Sequence, residues 1–152
     1  MTQKPDEEII AAARDIMEKR YVPEKHCIGA AIRTKSGRMF VGVHVEANCG
    51  RITVCAEAIA IGVAATHGDT DIAQIVAVTE SGDVVPPCGM CRELISDYSS
   101  DAEVILEIDG EIRCVPVLEL LPEKYDGSKY PNRREDPTQP QGVPPEHGGN
   151  KQ

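Results

Sequence analysis

Two short cysteine-containing segments place the strongest constraint on how this chain can fold. They read T-V-C-A-E at residues 53–57 and P-P-C-G-M-C at residues 86–91. Cys88 and Cys91 are three residues apart, so both lie on one face of the first turn if a helix begins there. Three cysteine ligands leave one position of a tetrahedral zinc ion open, which separates a catalytic site from a closed structural one. A fold that uses all three must bring Cys55 next to the second segment.

Both segments carry signals for the start of a helix. Pro87 suits a helix start, and we expect Thr53 to cap a helix that holds Cys55 and Glu57 in its opening turn. That helix should end near Gly68, which can take a left-handed closing conformation. Helix N-termini favour thiolate over thiol and partly offset the charge of three thiolates on one divalent ion. The arrangement places a carboxylate beside the open metal position as a carrier of protons.

The same cysteines allow two less specific interpretations. A single C-x-x-C pair can be a redox motif of the thioredoxin type, and a closed structural zinc site would need a fourth ligand. Three histidines could supply that ligand, namely His26, His44 and His67. Neither interpretation gives Glu57 a role. A catalytically inactive zinc-binding scaffold is the alternative from another functional class.

Together, the two segments resemble the cytidine deaminase superfamily, which pairs C-A-E with P-C-G-x-C. Residues 40–46, F-V-G-V-H-V-E, resemble the family's F-x-G-x-N-V-E, and I-G-A-A at 28–31 resembles its first strand. C-R-E at 91–93 and L-L-P at 120–122 extend the resemblance, which covers residues from about 9 to 125. It implies a hydrolase in which zinc activates a water that attacks C4 of cytosine, while a glutamate moves protons.

The resemblance also implies roles for individual residues. It implies one zinc ion per subunit on three ligands, namely Cys55, Cys88 and Cys91, with Glu57 as the catalytic residue. It implies substrate contacts by five residues around the site, namely His44, Glu46, Ala56, Phe40 and His26. Neutralisation of the thiolates is expected to fall to Arg92 or Arg51.

Three positions depart from the family pattern. His44 stands where the family has an asparagine that contacts ribose, although Glu46 is kept. Ala58 replaces the arginine that usually follows C-A-E, and His26 takes the place of a phenylalanine that stacks on the base. Without that arginine, the chain resembles the blasticidin-S deaminase branch as much as the cytidine branch. The expected substrate is a free cytidine-like nucleoside or related small molecule, and a blasticidin-S-type aminonucleoside is the alternative.

The charge of the chain argues against a nucleic-acid substrate. The formal net charge is −9, and residues 1–121 hold 11 basic and 20 acidic side chains. A domain with this excess of negative charge repels a phosphate backbone, whereas enzymes that edit RNA or DNA need a surface lined with basic side chains. One phenylalanine and no tryptophan leave little for stacking unpaired bases. We therefore expect a small-molecule substrate and no nucleic-acid partner.

The three cysteines outside these segments bear on the cellular compartment in which the protein is expected. Cys27, Cys49 and Cys114 are interpreted as ordinary free cysteines, because such a residue is usually a small buried hydrophobe. No apolar run approaches the roughly eighteen residues of a membrane span, and no signal peptide opens the chain. Reduced thiols and the absence of a membrane segment together predict a cytoplasmic protein without a membrane partner.

Periodicity and turn signals predict an α/β fold. A helix begins near Asp6, strands follow at about 27–34 and 38–45, and residues 74–79 form an apolar run typical of a strand buried on both faces. Asp-Gly at 109–110 favours a tight hairpin, so the last two strands should be antiparallel. With the resemblance, this predicts a three-layer α/β/α sandwich of the cytidine deaminase type. Its five-stranded mixed sheet should have the last strand antiparallel.

The domain organisation is expected to be simple. Residues 1–125 should form a single zinc-dependent deaminase domain, and residues 126–152 a tail rich in proline and glycine. The tail has five prolines and few apolar side chains, so it cannot bury a core of its own. It is either disordered or packed on a neighbouring subunit. The resemblance implies a homo-oligomer, a tetramer or a dimer, with active sites near subunit contacts.

Overall fold

The computed structural model describes residues 3–129, and helices alternate with strands along that range. The helices are α1 (Glu7–Arg20), α2 (Ala56–Thr66) and α3 (Gly89–Tyr98). The strands are β1 (Ile28–Thr34), β2 (Met39–Val43), β3 (Ile72–Thr79), β4 (Val84–Val85), β5 (Glu103–Ile108) and β6 (Glu111–Pro116). None of these helices is long and apolar enough to cross a bilayer. From residue 130 onward, the predicted tail lies outside the described residues.

The strands form one mixed sheet in the order β2-β1-β3-β5-β6, and the short β4 pairs with the end of β3. The β3–β5 pair is parallel and the other pairs are antiparallel. Asp109 and Gly110 turn between β5 and β6 with φ angles of 52° and 78°, which are the left-handed conformations of a tight hairpin. The predicted mixed sheet of five main strands with an antiparallel last strand is confirmed.

Helices cover both faces of the sheet. Ile75 and Ala77 on β3 belong to the core beneath α2 and α3, whereas Val76 and Val78 belong to the core beneath α1. This alternation follows from the two-residue period of a strand, and it explains why β3 is apolar at consecutive positions. The predicted three-layer sandwich is therefore confirmed.

Asp6 both caps α1 and ties it to the sheet. Its carboxylate accepts hydrogen bonds from the backbone N–H groups of Glu8 and Ile9, at 2.9 and 3.3 Å. Nε of Arg33 on β1 donates to the same side chain at 2.7 Å. The Arg33 hydrogen bond lowers the pKa of Asp6; partial burial opposes it and the two cap bonds reinforce it. One carboxylate thus fixes where α1 starts and which strand it faces.

Glycine at position 42 lets β2 pass directly beneath α2. A Cβ atom there would lie 2.5 Å from the backbone nitrogen of Ala60 and 2.6 Å from the carbonyl oxygen of Ala56. No side chain larger than hydrogen fits at that distance without moving the helix. The height of α2 above the sheet, and with it the position of the first cysteine segment, is set by this contact.

Gly42→Ala should lower the free energy of unfolding by about 1–3 kcal/mol, because overpacking forces α2 away from β2. Urea denaturation measures the effect. The matched control is Gly62→Ala in α2, where no atom lies within 4 Å of an added Cβ. That variant should gain about 1 kcal/mol from improved helix propensity. Equal stability of Gly42→Ala and the wild-type protein would contradict the close-packing argument.

Asp6→Asn should cost about 1 kcal/mol at pH 7, because asparagine caps a helix as well as aspartate but loses the charge-assisted bond to Arg33. The pKa of Asp6 is lowered in the folded state, so its contribution is complete above the unfolded value of 3.8 and is lost as the pH falls through the folded value. Stability curves of the two proteins should therefore converge below about pH 3. A difference that stays constant down to pH 2 would refute the ion-pair assignment.

Candidate active site

The first cysteine segment lies at the N-terminus of α2. Cys55 is the N-cap residue with an extended backbone, and Glu57 in the first turn is only 6% exposed. The prediction that Thr53 caps this helix is wrong. Its hydroxyl donates instead to Oε1 of Glu46 at 2.6 Å, and the helix begins two residues later than that cap would require. The predicted left-handed closing residue is confirmed, with φ of 69° at Gly68.

The second segment lies at the N-terminus of α3. Cys88 is the exposed N-cap residue and Cys91 is buried in the first turn. Arg92 donates from Nε to the carbonyl oxygen of Pro87 at 3.0 Å and from Nη1 to that of Leu120 at 3.1 Å. Arg92 therefore clamps the loop that leads into the helix. Its predicted neutralisation of the thiolates stays a prediction.

The three predicted sulfurs come together. The Sγ atoms of Cys55, Cys88 and Cys91 all lie within 4.8 Å of one another, and Cys55 and Cys88 are 3.7 Å apart. Two thiolates on one tetrahedral zinc ion, each about 2.3 Å from it, lie about 3.8 Å apart. The donor set and its spacing therefore fit a zinc ion with one open position. A redox pair of Cys88 and Cys91 alone would not require Cys55 at this distance.

The pKa values of the three thiols are shifted in different directions. Burial raises the pKa of the Cys91 thiol strongly, and Glu57 and the other two cysteines add to the effect. Burial also raises the pKa of Cys55. For Cys88, burial acts in the same direction, but hydrogen bonds from the backbone and thiol of Cys91 outweigh it, and the pKa is lowered. A cation between them favours the thiolate form of all three.

Glu57 is held out of water beside the sulfurs. Burial raises the pKa of its carboxyl, while its own backbone N–H, the Cys91 thiol and the nearby His44 act in the opposite direction. A buried carboxyl group in a cleft with a specific set of partners is typical of acid–base catalysis. The structure thus brings the predicted catalytic residue to the metal candidates.

A cavity of about 150 Å³ lies between the sulfurs and the end of β2. A cavity of about that size can hold a single six-membered ring. Its walls come from β1, the residue after β2, the start of α2, β4 and the loop before α3, with the lining residues Ile28, His44, Cys55, Ala56, Glu57, Val85, Pro86 and Cys88. A larger groove of about 490 Å³ is lined by Cys55 and Cys91 but not by Glu57. The smaller cavity is therefore where a ring could meet both the metal candidates and Glu57.

The predicted substrate contacts divide into two groups. His44 and Ala56 line the cavity. Glu46 and His26 lie behind His44: Glu46 Oε2 is 3.1 Å from His44 Nε2, and Nδ1 of His26 donates to the carbonyl oxygen of His44 at 2.8 Å. These two residues can support His44, but they do not line the cavity. Ile28, Val85 and Pro86 line it without having been predicted.

Phe40 does not line the cavity, and its predicted substrate contact stays a prediction that this position does not support. Its ring packs against His67 at the far end of α2, with 5.4 Å between ring centroids, and against the guanidinium of Arg38. Phe40, Gly42 and His44 share one face of the chain, but they meet successive levels of α2. Of the two side chains, His44 lies near the N-terminus of the helix, whereas Phe40 belongs to the core.

Known proteins are similar to this chain over most of its length. The sequence profile of the cytidine and deoxycytidylate deaminase zinc-binding region matches residues 3–107, which include both cysteine segments. A blasticidin-S deaminase of Bacillus cereus is 48% identical over 128 residues, which are 79% of this chain and 91% of that protein. A cytidine deaminase of Halalkalibacterium halodurans is 34% identical over 117 residues, 75% and 89% of the two chains. The crystal structure of cytidine deaminase from Burkholderia pseudomallei superimposes with a TM-score of 0.69 at 31% identity, covering 80% of this chain and all of that one.

Cys88→Ala should abolish stoichiometric metal binding, because two remaining sulfurs cannot replace the lost ligand. Metal analysis after dialysis against zinc should give about one zinc ion per chain for the wild-type protein and far less for the variant. Cys49→Ala is the control, since Cys49 is exposed and lies outside the sulfur cluster. Full zinc retention by Cys88→Ala would contradict the ligand assignment.

Proposed function

The chain belongs to the cytidine and deoxycytidylate deaminase zinc-binding family, and from that premise we propose its catalytic residues and its substrate. Membership makes it a hydrolase of the cytidine deaminase type, which acts on a C–N bond of a cyclic amidine. The observation that carries the proposal is the buried carboxyl of Glu57 beside a cavity whose wall contains two of the three clustered cysteines.

The metal is proposed to be one zinc ion per subunit, held by Cys55, Cys88 and Cys91. When bound, zinc supplies an open position at which a water becomes acidic enough to act as a nucleophile near neutral pH. The chain contributes two helix N-termini at these ligands, whose positive ends offset part of the thiolate charge. This offset supports the proposed zinc site although Ala58 stands where the family pattern has an arginine.

Glu57 is proposed to carry the protons of the reaction. Its carboxylate takes a proton from the attacking water, whose oxygen bonds to the amidine carbon. It delivers this proton to the ring nitrogen, then takes the second proton from the newly bound hydroxyl and gives it to the departing amine, so that the C–N bond breaks, a carbonyl forms and ammonia leaves. Burial of Glu57 keeps bulk water from exchanging these protons during the step. Backbone groups near Ala56 and Cys88 are proposed to hold the ring.

The substrate is proposed to be a blasticidin-S-type aminonucleoside rather than cytidine. The relative named blasticidin-S deaminase is 48% identical, against 34% for a cytidine deaminase. His44 and Ala58, the departures that bear on the sugar and the thiolates, point away from the cytidine pattern. The net charge of −9 further supports a free small molecule over a nucleic acid.

A homo-oligomer, tetramer or dimer, is also proposed. The apolar groove of about 490 Å³ beside Cys55 and Cys91, and the exposed side chains of Ile52 and Met90 near it, support a contact with a second copy of the chain. A cytoplasmic location is proposed from the six unpaired cysteines.

Zinc-loaded protein should release ammonia from blasticidin S faster than from cytidine, deoxycytidine or cytosine. Glu57→Gln and Glu57→Ala should keep zinc and lose at least about a hundredfold in rate, the low end for a positioned acid–base group. Glu18→Gln on α1 is the control; because Glu18 is exposed on the opposite side of the sheet, the rate of this variant should stay within about twofold.

Each outcome of this assay bears on a different part of the proposal. Nearly full activity of Glu57→Gln would remove Glu57 from the mechanism. Faster turnover of cytidine would reverse the proposed substrate preference. Zinc binding without ammonia from any of these compounds would favour a non-catalytic zinc-binding scaffold.

A further inference from the structure

The loop that leads from β4 to the second cysteine segment has no backbone donors of its own. Pro86 and Pro87 alone separate Val85, the last residue of β4, from Cys88. A proline has no backbone N–H, so neither of the two residues can donate a hydrogen bond. The position of the loop therefore depends on groups that reach its carbonyl oxygens.

Arg92 reaches two consecutive carbonyl oxygens at the end of this loop. Its backbone N–H donates to the carbonyl oxygen of Cys88 at 3.0 Å, in the first turn of α3. Its side chain donates from Nε to the carbonyl oxygen of Pro87 at 3.0 Å. The Pro87 carbonyl belongs to the planar peptide group that ends at the Cys88 nitrogen. Arg92 thus holds the backbone on both sides of Cys88, whose φ and ψ are −64° and 167°.

The same guanidinium ties the loop to the end of the sheet. Nη1 of Arg92 donates at 3.1 Å to the carbonyl oxygen of Leu120, the last residue of the short 3₁₀ helix Val117–Leu120. Carbonyl groups at the end of a helix have no partner within it, and the arginine satisfies one of them. The short helix is itself anchored, because Val117 is buried in the core beneath α2 and α3 and its N–H donates to the carbonyl oxygen of Ala102 at 2.9 Å. The loop is therefore fastened to a rigid part of the fold.

Within residues 3–129, no hydrogen bond of Arg92 goes to a sulfur atom. Its side-chain hydrogen bonds in this range are the two to Pro87 and Leu120. A guanidinium presents its N–H groups in a rigid planar fork, so bonds from both Nε and Nη1 fix its orientation. What this side chain supplies to the second cysteine segment is a fixed backbone rather than a contact with a thiolate.

We propose that Arg92 is a positioning residue for Cys88. By holding the two peptide groups that flank this cysteine, it sets the direction from which the Cys88 sulfur meets the zinc ion. Cys88 is the exposed member of the three clustered cysteines, so side-chain packing restrains it least. Groups that orient a ligand without touching the metal are typically worth about ten- to a hundredfold in metal affinity. This inference rests on the proposed zinc ligands.

Arg92→Lys and Arg92→Gln separate positioning from charge. Lysine keeps the positive charge, but a single ammonium group cannot reproduce the fork that spans both carbonyl oxygens. Metal-free protein is titrated with Co²⁺, a coloured substitute for Zn²⁺, and both variants should bind it at least about tenfold more weakly than the wild-type protein. The visible bands of the cobalt-saturated variants should also differ from those of the wild-type protein, because these bands report the coordination geometry.

A matched control and three outcomes decide the test. Arg113→Lys on β6 should keep its cobalt affinity within about twofold, because Arg113 is exposed and pairs with Glu111. Weak binding by Arg92→Gln with normal binding by Arg92→Lys would show that charge is what Arg92 supplies. Normal affinity and spectra of both Arg92 variants would overturn the inference as well. Weaker binding with an unchanged spectrum of the saturated protein would reduce Arg92 to a role in stability.

A variant at the other end of the clamp tests the inference with Arg92 intact, and it decides the matter if the Arg92 variants do not fold. Leu121→Pro removes the N–H that donates to the carbonyl oxygen of Leu118 at 3.3 Å. The φ of proline, about −65°, also differs from the −140° of Leu121, so the Leu120 carbonyl has to move. Cobalt binding should weaken by about tenfold. Unchanged cobalt binding by folded Leu121→Pro would contradict the inference.

Failure of the ligand assignment gives a different result from failure of this inference. Full cobalt binding by Cys88→Ala would remove Cys88 from the metal site and, with it, the role of Arg92. Normal cobalt binding by both Arg92 variants, together with loss of binding by Cys88→Ala, would overturn the inference and leave the proposed zinc site intact.

Discussion

The convergence of two helix N-termini is the interaction on which the rest of the site depends. α2 and α3 begin next to each other on one face of the sheet, and each begins at a cysteine. Three sulfurs within 4.8 Å of one another would repel as thiolates unless positive charge met them, and the helix dipoles supply part of it. The close packing of α2 on Gly42 keeps this arrangement at a fixed height above β2. Backbone geometry thus helps to prepare the site for a cation.

Those parts of the structure that depend on local spacing could be predicted from the sequence. The apolar run of β3, the Asp109–Gly110 turn and the cysteine spacing each encode their geometry within a few residues. The hydrogen-bond partner of Thr53 could not be predicted, because a hydroxyl just before a helix can bond either to the helix backbone or to a distant side chain. In the structure it donates to Glu46. Phe40 was assigned to the correct face, but alternation along a strand does not tell how far along a facing helix a residue lies. Ile28, Val85 and Pro86 are ordinary apolar residues in sequence and line the cavity only through the tertiary fold.

The positions that depart from the family pattern lie in different structural settings. Ala58 lies in the first turn of α2, where the helix dipole already offsets negative charge. Arg92 uses two of its N–H groups in hydrogen bonds to backbone carbonyl oxygens. His44 lies in the cavity wall and is buttressed from behind by Glu46 and, through its backbone, by His26. The change at Ala58 therefore concerns how the negative charge of the proposed metal ligands is offset. The change at His44 concerns which substrates the cavity can bind. The two can vary separately because no described contact joins them.

The two faces of the sheet carry different kinds of residue. Every residue of the sulfur cluster and the cavity lies on the side of α2 and α3 or at its margin, whereas the α1 side holds a mainly apolar core, the Asp6–Arg33 pair and the buried hydrogen bond between Gln74 and Glu103. Natural selection can therefore adjust thermal tolerance on one side and ligand preference on the other with little interference between them. For laboratory use, the outer surface of α1 is the place to attach a label or an immobilisation linker, since it is the surface remote from the catalytic side.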